Sequence, residues 1–264
     1  MTELTQNYHT HTYRCGHARG EDREYVEAAI KAGIKILGFS DHSPMIYNTD
    51  FKSGYRVRLE AVEGYFSSLL SLKEEYKNDI DIRIGFEAEY YPEIFDKFID
   101  YISGFPTEYL VLGQHFLWRE EDGIAAFPPS DSEEKLKSFH KNLLEAVKTG
   151  KFMYIAHPDV LNFTGDKEIY RENVAEFLTE IKKYDIPIGI NRYGLFDKRH
   201  YPNHIFWEVA GKIGNRALIE LDAHSPDVFA DKITVEAAEK FASAYGVNLI
   251  YDLSEDYKKH CLLK

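Results

Sequence analysis

The sequence has few cysteines and no long apolar segment. Cys15 and Cys261 are the two cysteines among 264 residues, which is too few for a disulfide framework or a cysteine-rich zinc site. No apolar run approaches the roughly 18 to 20 residues that a membrane-spanning helix needs, and the N-terminus lacks the basic and apolar regions of a signal peptide. We therefore expect a soluble, cytoplasmic protein that does not associate with a membrane.

Positive charge is also in short supply. The 32 Lys and Arg residues are outnumbered by 44 Asp and Glu residues, which gives a formal net charge of −12. Because such a field repels polyanions, nucleic acid is not an expected partner. A small anionic substrate is still compatible with this charge, since bound divalent cations make a site locally positive inside an acidic protein. The sequence does not decide between a monomer and a homo-oligomer.

Low-complexity tracts, internal repeats and Pro/Gly/Ser-rich linkers are missing as well, so we expect one domain over 1–264. Short runs of apolar and aromatic residues predict buried strands. These runs lie near 4–9, 35–40, 80–86, 108–113, 152–156, 186–190, 217–221 and 247–251. Charged segments with helical spacing lie between them. They cover 21–33 and the regions near 56–77, 131–149, 167–184 and 234–245. This alternation favours parallel βα units in a closed (β/α) barrel, with an open doubly wound sheet as the alternative.

Histidine and acidic residues follow the predicted strands at their C-terminal ends. In chain order they are His9, His11, Asp41, His42, Glu87, His115, His157, Asp222 and His224. In a parallel barrel these strand ends open on one face, so side chains that are far apart in the sequence converge there. Residues i and i+2 of a strand point to the same side, so His9 with His11, and Asp222 with His224, can point together.

This set of residues predicts a metal centre. One histidine at a strand end is more often a hydrogen-bonded structural residue than a ligand, but six histidines and three carboxylates are hard to explain as solvated surface. Imidazole and carboxylate ligands suit Zn, Mn or Fe. Because catalytic zinc usually takes three protein ligands, the number of candidates predicts two or three divalent ions. The sequence thus indicates a metal-dependent hydrolase.

Seven motifs, taken in order, resemble the PHP (polymerase and histidinol phosphatase) family of metal-dependent phosphoesterases. They read HTHTYRCGH, SDHSP, FEAEY, GQHF, AHPD, INRYGLFDKRHYP and LDAHSP. The resemblance runs from residue 7 to about 230, and the histidinol-phosphatase branch is the best match. It implies a distorted (β/α)7 barrel, similar to a TIM barrel, that holds a trinuclear metal centre.

The resemblance also implies which residues bind each ion. The first ion would be held by four residues: His9, His11, Glu87 and Asp222. The second would be held by three residues, with the carboxylate bridging both ions: Glu87, His115 and His157. The third would be held by three histidines: His17, His42 and His224.

By the same resemblance the protein is a phosphoric monoester hydrolase that converts L-histidinol phosphate to L-histidinol and phosphate in histidine biosynthesis. A hydroxide that bridges two ions would be the nucleophile. The leaving group would take its proton from a metal-bound water, from His42 through Asp41, or from His200. Three alternatives remain. The substrate could be another small phosphoester, including a diester, or the chain could be a non-catalytic metal-stabilised module. It could also catalyse an amidohydrolase-type reaction, since the amidohydrolase pattern also opens with HxH. Glu87 on the third strand favours the phosphoesterase.

Basic residues cluster after the sixth predicted strand. Arg192, Lys198 and Arg199, together with Asn191, could bind the oxygens of a phosphate group, although an exposed basic loop explains the three cations equally well. The histidinol-phosphatase branch is expected to carry a basic residue shortly after the fifth-strand histidine, where this chain has Asn162. Histidinol phosphate is the leading substrate, and Asn162 is a departure from the pattern of that branch.

The sequence also gives four residues a structural interpretation, and for His200 it stands beside the catalytic one. Cys15 lies within the first motif and is expected to be a bystander to the metal site. His140 lies in a charged helical segment and is expected at the surface. His200 and His204 are four residues apart, but Pro202 lies between them, so we expect them to cap or line the start of a helix.

Overall fold

The computed structural model describes residues 4–263, which fall into two compact units. Unit 1 consists of 4–111, Leu221–Lys232 and 251–263, and unit 2 consists of Leu112–Glu220 and Ile233–Ile250. The expectation of one domain over 1–264 stays a prediction, and residues 1–3 and 264 lie outside the described chain. Among the helices of the described chain, none combines the length and the hydropathy that crossing a bilayer requires. The cytoplasmic location stays a prediction from the sequence.

Strands and helices alternate along the described chain. The strands are β1 (Gln6–Asn7), β2 (Ile36–His42), β3 (Asp81–Ala88), β4 (Tyr109–Leu112), β5 (Tyr154–Ile155), β6 (Ile188–Asn191), β7 (Arg216–Glu220) and β8 (Asn248–Leu249). The helices are α1 (Asp22–Ala32), α2 (Val62–Glu75), α3 (Pro92–Ile102), α4 (Glu133–Lys148), α5 (Lys167–Lys182), α6 (Arg192–Phe196), α7 (His204–Ile213), α8 (Lys232–Ala244) and α9 (Ser254–His260). Each of the predicted strand regions overlaps one of these strands, and β2, β3, β6 and β7 extend one or two residues beyond the predicted bounds.

Neighbouring strands are parallel and follow one another in chain order. In unit 1, β1 pairs with β2 and β2 with β3. In unit 2, β5 pairs with β6, β6 with β7 and β7 with β8. A doubly wound sheet reverses its strand order at a switch point, and the paired strands within either unit show no such reversal. The predicted α/β class with parallel strands is confirmed. The described chain has eight strands where the resemblance implied seven.

Helix α1 begins and ends where the sequence indicates. At its start the Glu24 side chain accepts a hydrogen bond from the Glu21 N–H over 2.6 Å, and the Glu24 N–H donates to the Glu21 carbonyl over 2.9 Å. At its end, Gly33 has a φ of 89°, a left-handed conformation that glycine adopts at little cost. Tyr25 and Val26 are fully buried on the inner face of the helix, so α1 packs as the periodicity of its apolar residues predicts.

Tyr109 fills the core of unit 1 between three strands. Its hydroxyl lies 2.9 Å from the backbone oxygen of Tyr8 and 3.1 Å from that of Phe39 and can donate to either. Gly38 and Gly85 leave room for this ring: a Cβ at Gly38 would lie 2.9 Å from the Tyr8 Cα, and one at Gly85 would overlap the Tyr109 backbone oxygen. The packing around one tyrosine therefore fixes the spacing of the strands that carry the candidate ligands.

Helix α4 overturns the expectation that His140 lies at the surface. The residue is 4% exposed, and its ring stacks on Phe177 with centroids 4.5 Å apart. Its Nδ1 donates a hydrogen bond to the Asn173 side-chain oxygen, and burial lowers its pKa to about 4. The reason is positional, because His140 is one helical turn from the buried residues Leu136 and Leu143 and shares their inner face.

Candidate metal centre

Unit 1 brings the candidate ligands together through backbone register. The chain after β1 runs as an extended segment between β2 and residues 221–224. The Ser40 N–H donates to the Thr10 carbonyl over 2.9 Å, the His11 N–H to the Ala223 carbonyl over 2.9 Å, and the Ala223 N–H to the His9 carbonyl over 3.1 Å. Thr10 and Ala223 form a parallel bridge. The histidines that flank Thr10 therefore lie beside the two candidate ligands that flank Ala223.

The pairing of β2 with β3 places Glu87 beside three imidazoles. His42 and Glu87 are partners in the parallel register, and the Ser43 N–H donates to the Glu87 carbonyl over 2.8 Å. The Glu87 Oε2 lies 3.0 Å from His42 Nδ1, 3.4 Å from His9 Nε2 and 3.6 Å from His11 Nε2. Glu87 is 1% exposed, so its carboxylate is the buried meeting point of ligands from β2 and from the segment after β1.

Asp222 faces two of the same imidazole nitrogens and a third from His224. Its Oδ1 lies 3.1 Å from His11 Nε2, 3.5 Å from His9 Nε2 and 3.3 Å from His224 Nδ1. The backbone φ of Asp222 is 49°, a left-handed value that is uncommon for a residue other than glycine. Such strained conformations cluster at functional sites, where the surrounding structure holds them. The backbone of Asp222 thus fits a residue whose side chain must point in a fixed direction.

His17 and His224 bring two ring nitrogens face to face. The His17 Nδ1 lies 3.2 Å from the Cys15 carbonyl, and the His224 Nδ1 lies 3.1 Å from the Asp222 carbonyl. Because a carbonyl oxygen can only accept, each Nδ1 carries the proton in the neutral ring and each Nε2 presents its lone pair. The two Nε2 atoms are 3.1 Å apart. Two lone pairs at this distance repel unless a proton or a metal cation lies between or beside them, so the arrangement fits a cation.

The charges of the cluster also fit a cation. Burial alone would raise the pKa of Asp222, but the facing His9 and His224 rings hold that pKa well below its ordinary value. Burial would lower the pKa of His11, but the facing carboxylates of Asp222 and Asp41 hold it well above its ordinary value. Burial and the nearby His11 lower the pKa of His224 to about 3, which keeps it in the neutral form that binds metals. Ionised carboxylates buried among imidazoles are stabilised by bound divalent ions.

Seven of the nine predicted metal ligands converge in unit 1. They are His9, His11, His17, His42, Glu87, Asp222 and His224. In two triplets all the donor atoms lie within 4.8 Å of one another: His11, His42 and His224, and His9, His11 and Asp222. Nitrogen and carboxylate oxygen donors at this spacing suit a divalent transition metal. The donor set of unit 1 therefore supports divalent metal ions.

Unit 2 contains the other two predicted ligands. The rings of His115 and His157 have centroids 5.0 Å apart, and both residues are buried. The His157 N–H donates to Glu220 Oε1 over 2.8 Å, and its backbone φ is 28°, which is also unusual outside glycine. A pair of neighbouring imidazoles provides part of the three-ligand set that a catalytic metal takes. Their assignment to the second ion stays a prediction.

Asp41 lies behind His11 and holds that ring. It is fully buried. Its Oδ2 accepts from the Thr12 N–H over 3.1 Å and from the Thr12 hydroxyl, and its Oδ1 accepts from the His42 N–H over 2.8 Å and lies 3.4 Å from His11 Nδ1. A carboxylate in this position fixes the orientation of a ligating imidazole and raises its basicity. The geometry thus favours a positioning role for Asp41, while proton donation through His42 stays a prediction.

Two of the predicted phosphate-binding residues begin α6 in unit 2. Asn191 caps the helix, because its Oδ1 accepts from the Gly194 N–H over 2.9 Å, and its Nδ2 donates to Glu220 Oε1 over 3.2 Å. Arg192 is 3% exposed, and its guanidinium carbon lies 4.5 Å from the centre of the Phe196 ring. The hydrogen bonds of Asn191 give its side chain a structural role. Arg192, in contrast, places a positive charge in a buried position.

The remaining predicted residues of that region lie in the loop after α6. Arg199 donates through Nε to Asp197 over 2.8 Å, and Lys198 is exposed. His200 Nε2 donates to the Val160 carbonyl over 2.7 Å, and burial lowers the pKa of His200. Arg199 and Lys198 therefore fit the basic-loop explanation better than a phosphate clamp. The role of His200 as a proton donor stays a prediction.

The sequence did not reveal a buried charged pair beside the ligands of unit 1. Arg56 and Glu89 are 4% and 1% exposed, and their charged groups are 3.0 Å apart. The Tyr55 hydroxyl donates to Glu89 over 2.8 Å, and the Tyr55 ring lies 4.8 Å from the ring of His42. Glu89 follows Glu87 by two residues, just beyond the end of β3, and this spacing is the one signal that the sequence offers. Its partner Arg56 comes from a long loop whose path the sequence does not show.

Known proteins resemble this chain in sequence. The family model described as the PHP domain matches residues 7–193. The "Probable histidinol-phosphatase" of Deinococcus radiodurans is 31% identical over 233 residues, an alignment that covers 86% of this chain and 88% of that protein. The "Histidinol-phosphatase" of Bacillus subtilis is 30% identical over 117 residues, which covers 41% of this chain and 43% of that protein.

A solved structure resembles the chain in fold. The histidinol phosphate phosphatase of Lactococcus lactis, crystallised with zinc, L-histidinol and phosphate, aligns with a TM-score of 0.70 and 18% identity over 94% of this chain and 95% of that one. This likeness confirms the predicted fold class. With the family match and the relative from Deinococcus radiodurans, it agrees with the motifs and with the ligand cluster of unit 1. The chain belongs to the PHP family and is a phosphoric monoester hydrolase of its histidinol-phosphatase-like group.

Proposed function

We propose that this protein hydrolyses L-histidinol phosphate to L-histidinol and phosphate, the phosphatase reaction of histidine biosynthesis. The observation that carries the proposal is the buried cluster in which Glu87 and Asp222 face the rings of His9, His11 and His42. The substrate is suggested by the relative from Deinococcus radiodurans and by the ligands of the Lactococcus lactis structure. The missing basic residue at Asn162 remains a difference from the expected pattern.

We propose that two or three Zn, Mn or Fe ions are held by the nine predicted ligands. These ligands are His9, His11, His17, His42, Glu87, His115, His157, Asp222 and His224. When bound, divalent ions lower the pKa of water and neutralise phosphate oxygens. Zinc is the leading choice, because the Lactococcus lactis protein was crystallised with it and imidazole and carboxylate are ordinary zinc ligands.

The side chains of unit 1 divide the work of holding this centre. Glu87 and Asp222 supply negative charge in a buried place, where it binds cations strongly. The Asp41 carboxylate faces His11 Nδ1 at 3.4 Å, and the opposite ring nitrogen Nε2 faces Asp222 and Glu87. A ligand set that is fixed in this way requires little rearrangement when the substrate binds.

Three side chains remain candidates for contact with the substrate, one for binding the phosphate and two for donating a proton. Arg192 is the leading candidate for the phosphate, because a buried guanidinium binds two oxygens in a fixed geometry. His42 and His200 remain the candidates for proton donation to the leaving alkoxide. His200 already donates its Nε2 proton to the Val160 carbonyl, so it would have to break this bond to serve, which favours His42.

The test is phosphate release by the purified protein across a panel of esters, with metal content measured in parallel. L-histidinol phosphate should exceed glycerol phosphate and phosphoserine in kcat/KM by roughly 100-fold or more, the discrimination that specific polar contacts give. A chelator should abolish activity, and zinc or manganese should restore it. Equal rates on all monoesters would contradict the substrate. Faster hydrolysis of bis(p-nitrophenyl) phosphate would favour a diesterase, and absence of metal-dependent phosphate release would contradict the reaction itself.

A further inference from the structure

Cys15 lies against the histidine cluster of unit 1 and has no role in the reaction proposed above. It ends the short 3-10 helix Tyr13–Cys15 and is 1% exposed. Its Sγ lies 3.9 Å from His17 Nε2. It also forms a buried triplet with His11 and Asp41, in which all donor atoms lie within 4.8 Å of one another. A buried cysteine usually packs as a small apolar side chain, but the neighbours of Cys15 are imidazoles and a carboxylate.

Two separations measured from His17 Nε2 are those of ligands that share an ion. The His17 Nε2 is 3.1 Å from His224 Nε2 and 3.9 Å from the Cys15 Sγ. Zinc binds nitrogen at about 2.0–2.1 Å and sulfur at about 2.3 Å, so a tetrahedral site separates two nitrogens by roughly 3.3 Å and a nitrogen from a sulfur by roughly 3.5 Å. The observed separations are within a few tenths of an ångström of these values.

A second feature points to a cation in the histidine cluster beside Cys15. His11 is completely buried, and in the described chain neither of its ring nitrogens forms a hydrogen bond of normal geometry. Its Nδ1 faces the carboxylate of Asp41 at 3.4 Å. Buried polar atoms are rarely left without hydrogen bonds, and a ring in this state fits a metal ligand. Cys15 therefore adjoins donors that are arranged for a cation.

We propose that Cys15, as a thiolate, is a ligand of the ion held by His17 and His224. The proposal rests on the metal-dependent function above. On binding, the S–H bond breaks and its proton passes to solvent, while a sulfur–metal bond forms. The thiol meanwhile gives up its hydrogen bond to the Thr12 carbonyl, which measures 3.1 Å. Because thiolate is a soft ligand, this position would prefer zinc or cobalt to manganese or magnesium.

The first experiment uses the full-length Cys261→Ser protein loaded with Co²⁺. Cys15 is then the one thiol of the chain, since the sequence has two cysteines. The proposal predicts a thiolate-to-cobalt charge-transfer band in the near ultraviolet, which histidine and carboxylate ligands do not give. It also predicts that zinc protects this thiol from alkylation and that a chelator exposes it. A cobalt-loaded protein without the band, whose thiol reacts equally with and without zinc, would overturn the assignment.

The second experiment compares Cys15→Ser and Cys15→Ala with the Cys261→Ser control. Both Cys15 variants should bind zinc more weakly, by at least the roughly 10- to 100-fold that follows loss of an outer partner of a ligand, and their preference for zinc over manganese should shrink. The control should keep wild-type zinc affinity. Unchanged zinc affinity in both Cys15 variants would contradict the proposal. A band without hydrolysis of L-histidinol phosphate would contradict the proposed substrate and leave Cys15 as a ligand.

Discussion

His42 and Glu87 face each other across two neighbouring strands, with His42 Nδ1 3.0 Å from Glu87 Oε2. The parallel register of β2 and β3 pairs the two residues directly. The same carboxylate oxygen lies within 3.6 Å of His9 and His11. The register of β2 and β3 thus places His42 beside Glu87, the segment after β1 brings His9 and His11 to the same carboxylate, and loss of this carboxylate should affect several ligands at once.

We expect Glu87→Gln to lose bound metal and activity together. The substitution keeps the size of the side chain but removes the charge that balances the cations. Metal content should fall by at least one ion per chain, and kcat/KM for the best substrate should fall by at least about 100-fold. Elemental analysis and phosphate release measure the two effects. Glu93→Gln makes the same change at an exposed position in the first turn of α3 and should match the wild type, whereas full metal content in Glu87→Gln would remove its role as a ligand.

The ligands of unit 1 were predictable because position along a strand is visible in the sequence. His9, His11 and Glu87 follow or end apolar runs, and strand alternation indicates which of them point together. Their partners across strands were not visible, since the register of β2 and β3 depends on core packing around Tyr109. The imidazole neighbours of Cys15 were not visible either, because its environment depends on a local turn rather than on a periodic pattern.

Asp41→Asn separates a positioning role from a proton-transfer role. If Asp41 orients His11, the variant should bind metal about 10- to 100-fold more weakly, and added metal should restore most of kcat. If Asp41 acts in proton transfer through His42, kcat should fall at saturating metal while metal affinity stays unchanged. Chelator competition and kcat at several metal concentrations distinguish the two results, and circular dichroism checks that the variant is folded.

Gly38→Ala should destabilise the protein through the core of unit 1. Its Cβ would crowd the Tyr109 hydroxyl and lie 2.9 Å from the Tyr8 Cα. Overpacking of this kind costs about 1–3 kcal/mol, and each kcal/mol lowers the Tm of a chain of this size by about 2–4 °C. Gly64→Ala is the matched control, because its Cβ meets no atom within 4 Å on the exposed side of α2, and it should raise the Tm slightly. Similar melting curves for both variants would contradict the packing argument.

Two indications in the sequence conflict for His140. Its helical spacing correctly indicated burial, whereas its residue type wrongly suggested exposure. Its spacing from Leu136 and Leu143 indicated the buried face of α4, but a histidine among charged residues suggested solvent. The helical period decided its position, because the rest of that face is apolar and packs inward. The ring is accommodated by stacking on Phe177 and by the hydrogen bond to Asn173.

The buried His140 should make the protein less stable as the pH falls. Burial lowers its pKa from 6.5 to about 4. Above pH 6.5 the ring is therefore neutral in both the folded and the unfolded state, and His140 does not make the free energy of unfolding depend on pH. Between pH 6.5 and 4 the unfolded state takes up the proton first, and the free energy of unfolding should decline by up to about 3 kcal/mol. Urea unfolding of metal-free wild type, His140→Phe and His140→Gln at several pH values measures this, since both variants lack the titrating ring. Equal pH dependence in all three proteins would show that His140 is not held neutral.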